Sequence, residues 1–77
     1  MSYLVNLDVR DRSALVVGAG DVAARKVAAL VRAGARVTVV AVRVGEAVAA
    51  LARDGRLRLE RRAFAPGDAR GALVVIG

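Results

Sequence analysis

Four apolar residues, Ala14-Leu15-Val16-Val17, run into Gly18-Ala19-Gly20, and an amphipathic stretch beginning Asp21-Val22-Ala23 follows at once. This is G-x-G-x-x-G/A spacing between a strand-like run and a helix-like one, the pattern of a dinucleotide-binding turn. Each small residue has its own physical task. Gly18 lets the chain reverse sharply out of the strand. Gly20 carries no Cβ, so a pyrophosphate can approach its backbone. Ala23 keeps the helix close to the strand. The unpaired N–H groups of the first helical turn, with the helix dipole behind them, then face the phosphates. Glycine turns also precede helices in α/β proteins that bind no nucleotide, so the spacing alone leaves both readings open.

The remainder of the chain supplies the matching elements. Residues 13–17 form an unbroken apolar run of the kind buried on both faces of a parallel sheet. Residues 22–33 place Ala23, Val27, Leu30, Val31 and Gly34 on one helical stripe, with Arg25, Lys26 and Arg32 off it. Gly34 is positioned to end that helix in a left-handed cap. Residues 37–42 are rich in β-branched side chains and read as a second buried strand. Residues 45–53 read as a short helix with Val44, Val48, Leu51 and Ala52 inward and Gly55 as its stop. Residues 56–61 alternate polar and apolar, which predicts a strand with one wet face near an edge. Pro66 is placed to start a single helical turn, and residues 73–76 form a fourth strand. Residues 3–9 alternate loosely, as a short strand or an extended lead-in.

The order β-α-β-α-β-(turn)-β implies parallel strands joined by right-handed crossovers: a Rossmann-like open parallel sheet, here a truncated β-α-β-α-β-β half-domain over residues 1–77. Ligands bind such sheets at the carboxyl ends of the strands. Three loops are expected there: residues 18–22, residues 42–45 and whatever follows Gly77.

Composition narrows the function. The chain has 77 residues, 57% of them hydrophobic, and a mean hydropathy of +0.51, too apolar for disorder. No apolar run approaches the roughly 18 residues needed to span a bilayer, and no signal peptide is evident. With no cysteine and no histidine, disulfides and thiolate or imidazole metal sites are excluded. A cytoplasmic location, with no membrane partner and no metal, is the expectation. The net charge of +6 rests on 13 cations, all arginine except Lys26, spread from Arg10 to Arg70. Only Tyr3 and Phe64 could stack a base, so nucleic acid is not the expected partner. The charge is either a solvated surface or an attraction for an anionic ligand.

Three details refine the dinucleotide reading. Arg25 and Lys26 are expected in the first helical turn, where the dipole disfavours cations unless an anion offsets them. About 20 residues after the glycines, an acid commonly reads the ribose of NAD, yet the chain there reads Val40-Ala41-Val42-Arg43. Arg43 either meets a 2′-phosphate, favouring NADP, or is solvated. Asp21, just before Val22, is placed as a helix N-cap. No nucleophile-base pair is present, so any chemistry is hydride transfer driven by a cofactor.

Three stretches together carry a more specific likeness: Tyr3-Leu-Val-Asn-Leu-Asp8, the run from Ala14 through Gly-Asp-Val-Ala-Ala-Arg-Lys26, and Ala33-Gly-Ala-Arg-Val-Thr-Val-Val-Ala41. They resemble the start of siroheme synthases, in their precorrin-2 dehydrogenase/sirohydrochlorin ferrochelatase module. Phe64, Asp68 and the run from Gly71 to Ile76 fit the same family's fourth-strand region. The resemblance implies NAD-dependent oxidation of precorrin-2, a polycarboxylate tetrapyrrole, to sirohydrochlorin, followed by ferrous iron insertion. It also implies that NAD is held by the turn at Asp21 and Val22, beside the Gly18 and Gly20 of the glycine spacing, and by Val42 and Arg43 after the second strand, without an acid there.

Two departures stand out. Ala19 replaces the family's middle glycine, which is tolerated if its φ is negative. Val42 replaces a common proline. The family's module continues past Gly77 through a helical dimerisation region and the aspartate thought to serve both activities. The chain is therefore expected to be an NAD-binding, N-terminal part of a longer, homodimeric enzyme, silent in catalysis by itself. The alternative is a stand-alone regulatory module that senses a dinucleotide. A further possibility is an incomplete half-sheet that binds nothing and self-associates through its last strand.

Overall fold

The computed structural model describes residues 10–77. The strand or lead-in expected at residues 3–9 lies outside the described residues. Four strands, β1 (Ser13–Val17), β2 (Arg36–Val40), β3 (Arg58–Glu60) and β4 (Leu73–Ile76), form one sheet in the order β3-β2-β1-β4. All three pairings are parallel. Two helices, α1 (Asp21–Arg32) and α2 (Glu46–Arg53), make the crossovers, and a single 3-10 turn, Pro66–Ala69, lies between β3 and β4. Strand order reverses between β1 and β4, the position where open α/β sheets form a ligand crevice.

One face of the sheet is closed by the helices. Ala14 and Val16 of β1 and Val37 and Val39 of β2 join Ala23, Val27 and Leu30 of α1 and Val48 of α2 in one buried cluster. Burying a valine or leucine side chain contributes about 1.5–3 kcal/mol, so this cluster is the main source of stability that the sequence pattern anticipates. Both helices stop on a glycine with positive φ, Gly34 at +90° and Gly55 at +76°. In each, two backbone bonds close the last turn: Gly34 N–H to Val31 and Ala35 N–H to Leu30, then Gly55 N–H to Ala52 and Arg56 N–H to Leu51. These are Schellman closures, and the one at Gly34 supplies the left-handed cap expected there.

Several boundaries differ from the sequence reading. The second strand ends at Val40 rather than Val42, because the Ala41 N–H turns to the Glu60 carbonyl at 3.1 Å and the chain leaves the ladder after that bond. The third strand is three residues long, not six. Among the described residues it pairs only with β2, at the sheet edge, as its alternation implied. Pro66 does open a helical turn, of 3-10 type. A fourth loop, leaving β3 after Glu60, also lies on the carboxyl edge and was missing from the expectation.

On the opposite face, a groove of about 240 Å³ is lined by side chains that include Ser13, Thr38, Glu60, Arg62, Asp68 and Arg70. Arg62 organises it: its guanidinium grips Asp68 through two 2.7 Å bonds and donates to Glu60 at 2.9 Å. Asp68 also accepts the Ala65 N–H at 2.7 Å. Held by Arg62 and by that backbone bond, the Asp68 carboxyl drops to about 2. The clasp replaces a crossover helix between β3 and β4 with a charge-pinned loop.

Candidate functional site

Gly18, the first residue after β1, sits at φ +112°, and a Cβ there would lie 2.5 Å from the Gly77 carbonyl oxygen. Its N–H bonds the Val40 carbonyl at 3.0 Å. The turn is therefore fixed to the ends of both β2 and β4, and glycine is required by conformation and space together. Ala19 is buried. Asp11 is the only non-glycine with positive φ among the described residues, so Ala19 meets the condition for replacing a glycine.

Gly20 is different. It is the N-cap of α1, in an extended conformation at φ −86° that any residue adopts, and a Cβ there would meet nothing within 4 Å. Neither strain nor packing asks for a glycine at this position. Beyond it, α1 begins with three N–H groups, of Asp21, Val22 and Ala23, that have no acceptor among the described residues. The first intrahelical bond is Ala24 N–H to the Gly20 carbonyl at 2.9 Å. Open space, unpaired donors and a helix dipole make a cradle for an anion of phosphate size.

Ala23 is fully buried, and a Cβ on Gly77 would come within 2.6 Å of its own. This is the close approach of helix and strand that the third small residue predicted, now seen against the end of β4. Val22 beside it is half exposed, at 48%.

The second wall is the turn after β2. Ala41 is buried, Val42 is 70% exposed and Arg43 is exposed. Gly45 returns the chain to the first turn: its N–H bonds the Ala19 carbonyl at 2.9 Å. The two turns are one rigid edge. Gly18, Gly20, Asp21, Val22, Val42 and Arg43 therefore all lie on the carboxyl edge of the sheet. None of them lines the groove on the opposite face.

Two local expectations need correction. Asp21 is not the N-cap: Gly20 is, with no side-chain cap bond, and Asp21 is the first helical residue. Its carboxylate there is favoured by the dipole rather than by a capping bond. Because the helix starts at Asp21, Arg25 and Lys26 fall in its second turn, outside the zone where the dipole opposes cations. Lys26 has a definite role that the sequence missed. Its ammonium donates to the Ile76 carbonyl at 2.5 Å, tying α1 to the end of β4. Helical side chains lean toward the N-terminus, which could have suggested that reach, but its acceptor comes from a strand 50 residues away.

No group of His, Cys, Asp or Glu able to hold a metal occurs among the described residues. Among the same residues, no helix is long and apolar enough to cross a membrane.

A family model described as "Putative NAD(P)-binding" matches residues 5–77. The siroheme synthase of Methylobacillus flagellatus is 43% identical over 70 residues, which cover 91% of this chain and 15% of that protein. That of Nitrosospira multiformis is 43% identical over 81 residues, covering 99% of this chain and 17% of its own length. Among solved structures, SirC, a precorrin-2 dehydrogenase, superposes with a TM-score of 0.89 at 34% identity. That match covers 97% of this chain and 38% of SirC. The chain thus spans less than a fifth of the curated siroheme synthases it matches.

Proposed function

The chain belongs to this NAD(P)-binding family, and from that premise we propose that it supplies the dinucleotide-binding part of an enzyme that oxidises precorrin-2 to sirohydrochlorin. The observation that carries the reading is the contrast at the first turn. Neither backbone strain nor packing requires glycine at position 20, yet it stands beside three unpaired helix N–H groups. A pyrophosphate approaching the backbone supplies the missing reason. Gly18 shapes the turn, Gly20 admits the phosphates, and the N–H groups of Asp21 and Val22 face them. Val42 and Arg43 border the adenosine side.

When bound, the nicotinamide is the hydride acceptor. The chain's own residues bind and orient it. The described residues hold no nucleophile-base pair to move a proton, so the chain alone is expected to bind cofactor without turnover. The substrate assignment is supported by SirC, named a precorrin-2 dehydrogenase, and by the siroheme synthases, whose name gives siroheme as their product.

Titration calorimetry of the chain with NAD+ tests the cofactor site. Gly20→Asp places a carboxylate where the pyrophosphate would lie, so a loss of at least about thirtyfold in affinity is expected, roughly 2 kcal/mol. Unchanged affinity would sink the turn assignment. For the reaction, the longer protein given precorrin-2 and NAD+ should produce reduced nicotinamide.

A further inference from the structure

We propose that the amino edge of the sheet, on the far side from the glycine turn, docks a partner protein through an acidic helix. The inference does not depend on the dinucleotide reading and concerns charge that the cofactor edge leaves unused. Each strand start carries one exposed arginine: Arg56 just ahead of β3, Arg36 opening β2, Arg12 ahead of β1 and Arg70 ahead of β4. None of the four makes an ion pair with a described residue. Sheet order sets them side by side in that sequence. Neighbouring strands lie about 4.8 Å apart, so the four form a row about 14 Å long. The Arg36 N–H bonds the Arg12 carbonyl at 2.9 Å, which fixes the two central members next to each other.

Other arginines near this edge have internal uses. Arg32 sits in the last turn of α1, where the dipole favours a cation, and Arg58 pairs with Glu60 at 3.3 Å. The carboxylates lie mostly elsewhere. Asp21, Glu46 and Glu60 stand toward the carboxyl edge, and Asp68 is held in the Arg62 clasp. Among the described residues only Asp11 and Asp54 share the amino end, and neither pairs with the row. The chain's net charge of +6 is thus concentrated away from the phosphate cradle. A second copy brings the same cations and is repelled. Single-stranded nucleic acid is bound by stacking bases on aromatic side chains, and the one aromatic among the described residues, Phe64, lies beyond the other end of β3. Glutamates at i and i+4 on a helix stand about 5–6 Å apart, close to the spacing of the row. Guanidinium forks suit carboxylates, gripping each through two parallel bonds.

The test is fluorescence anisotropy of labelled helical peptides titrated with the 77-residue chain. One peptide carries glutamates at i, i+4, i+7 and i+11 on one face. The other has the same composition with its glutamates spread around the helix. Far-UV circular dichroism checks that each variant is folded. The one-face peptide should bind at least about fivefold tighter than the spread one, and more weakly as salt rises. Arg12→Gln/Arg36→Gln should weaken it about fivefold, for two exposed ion pairs lost. Arg25→Gln/Arg61→Gln, equal in charge but toward the carboxyl edge, should weaken it less than about twofold. No binding, equal affinity for the two peptides, or equal weakening by the two variant pairs would overturn the proposal. An oligouridylate binding at least about tenfold tighter than the peptide would assign the row to nucleic acid instead. If the longer protein ignores a peptide that the 77-residue chain binds, its own remaining length covers the row and the proposal fails.

Discussion

The two strand-to-helix turns of this chain share one local design and end in opposite circumstances. Each helix is capped by an extended glycine, Gly20 or Gly45, without a side-chain bond, and each starts with an acid, Asp21 or Glu46. At Gly45 a Cβ would lie 2.9 Å from the Ala19 carbonyl oxygen, so that glycine is required by the protein's own packing. At Gly20 there is nothing to meet. Glu46 is paired with Arg53 along its helix, while Asp21 makes no such bond among the described residues. The second turn braces the first, and the first presents its donors to open space. Local chemistry made two helix ends alike; assembly turned one into a support and left the other open, as the proposed cofactor site requires.

The largest effect on folding should come from Gly18, the residue on which the first turn depends. Gly18→Ala combines a positive φ with a Cβ pressed against the Gly77 carbonyl, and should cost at least about 2 kcal/mol in urea unfolding. A loss within error would mean that the turn relaxes freely, and the contrast between its two glycines would lose its basis.

Next comes the pair that defines the contrast itself. Gly45→Ala must push Ala19 aside and should lower stability by about 1 kcal/mol, a typical cost for a tight internal contact. Gly20→Ala, which loses only a helix-cap preference and meets no contact, should lower stability less while weakening dinucleotide binding. Were the two substitutions to destabilise equally, the distinction between brace and site would fail.

The smallest effect extends the comparison to the third strand end, where a charge clasp does the work of a helix. Asp68 titrates at about 2 instead of 3.8 because Arg62 and the Ala65 N–H hold its ionised form. Its folded value is depressed, so its contribution is fully present above the ordinary carboxylate range and is lost as pH falls through about 2. Carboxyl NMR should show Asp68 moving up toward 3.8 in Arg62→Met. An unmoved Asp68 would show that the backbone bond alone holds it.

Much of this architecture was legible in the chain. The run from Ser13 to Val17 and that from Leu73 to Ile76 became strands over the same residues, since continuous β-branched and aliphatic stretches between turn residues have few other ways to be buried. The α1 stripe of Ala23, Val27 and Leu30 is the buried face, because helical periodicity converts sequence spacing directly into direction. Strand ends were read less well. Residues 41 and 42 have strand-like side chains, but their backbone partner is decided by where β3 stops. The Asp21 cap failed for a related reason: a one-residue shift in the helix start moved the capping position to Gly20.

By itself, then, the sequence determined the element types, their order and the spacing of the glycine turn, all of which depend on neighbours a few residues apart. Tertiary structure alone decided which glycine faces packing and which faces solvent. Only the fold could bring Gly77 against Gly18 and Ala23, Ala19 against Gly45, and Lys26 to the Ile76 carbonyl. Such contacts join residues far apart in the chain, and a parallel sheet brings them together only when its crossovers close.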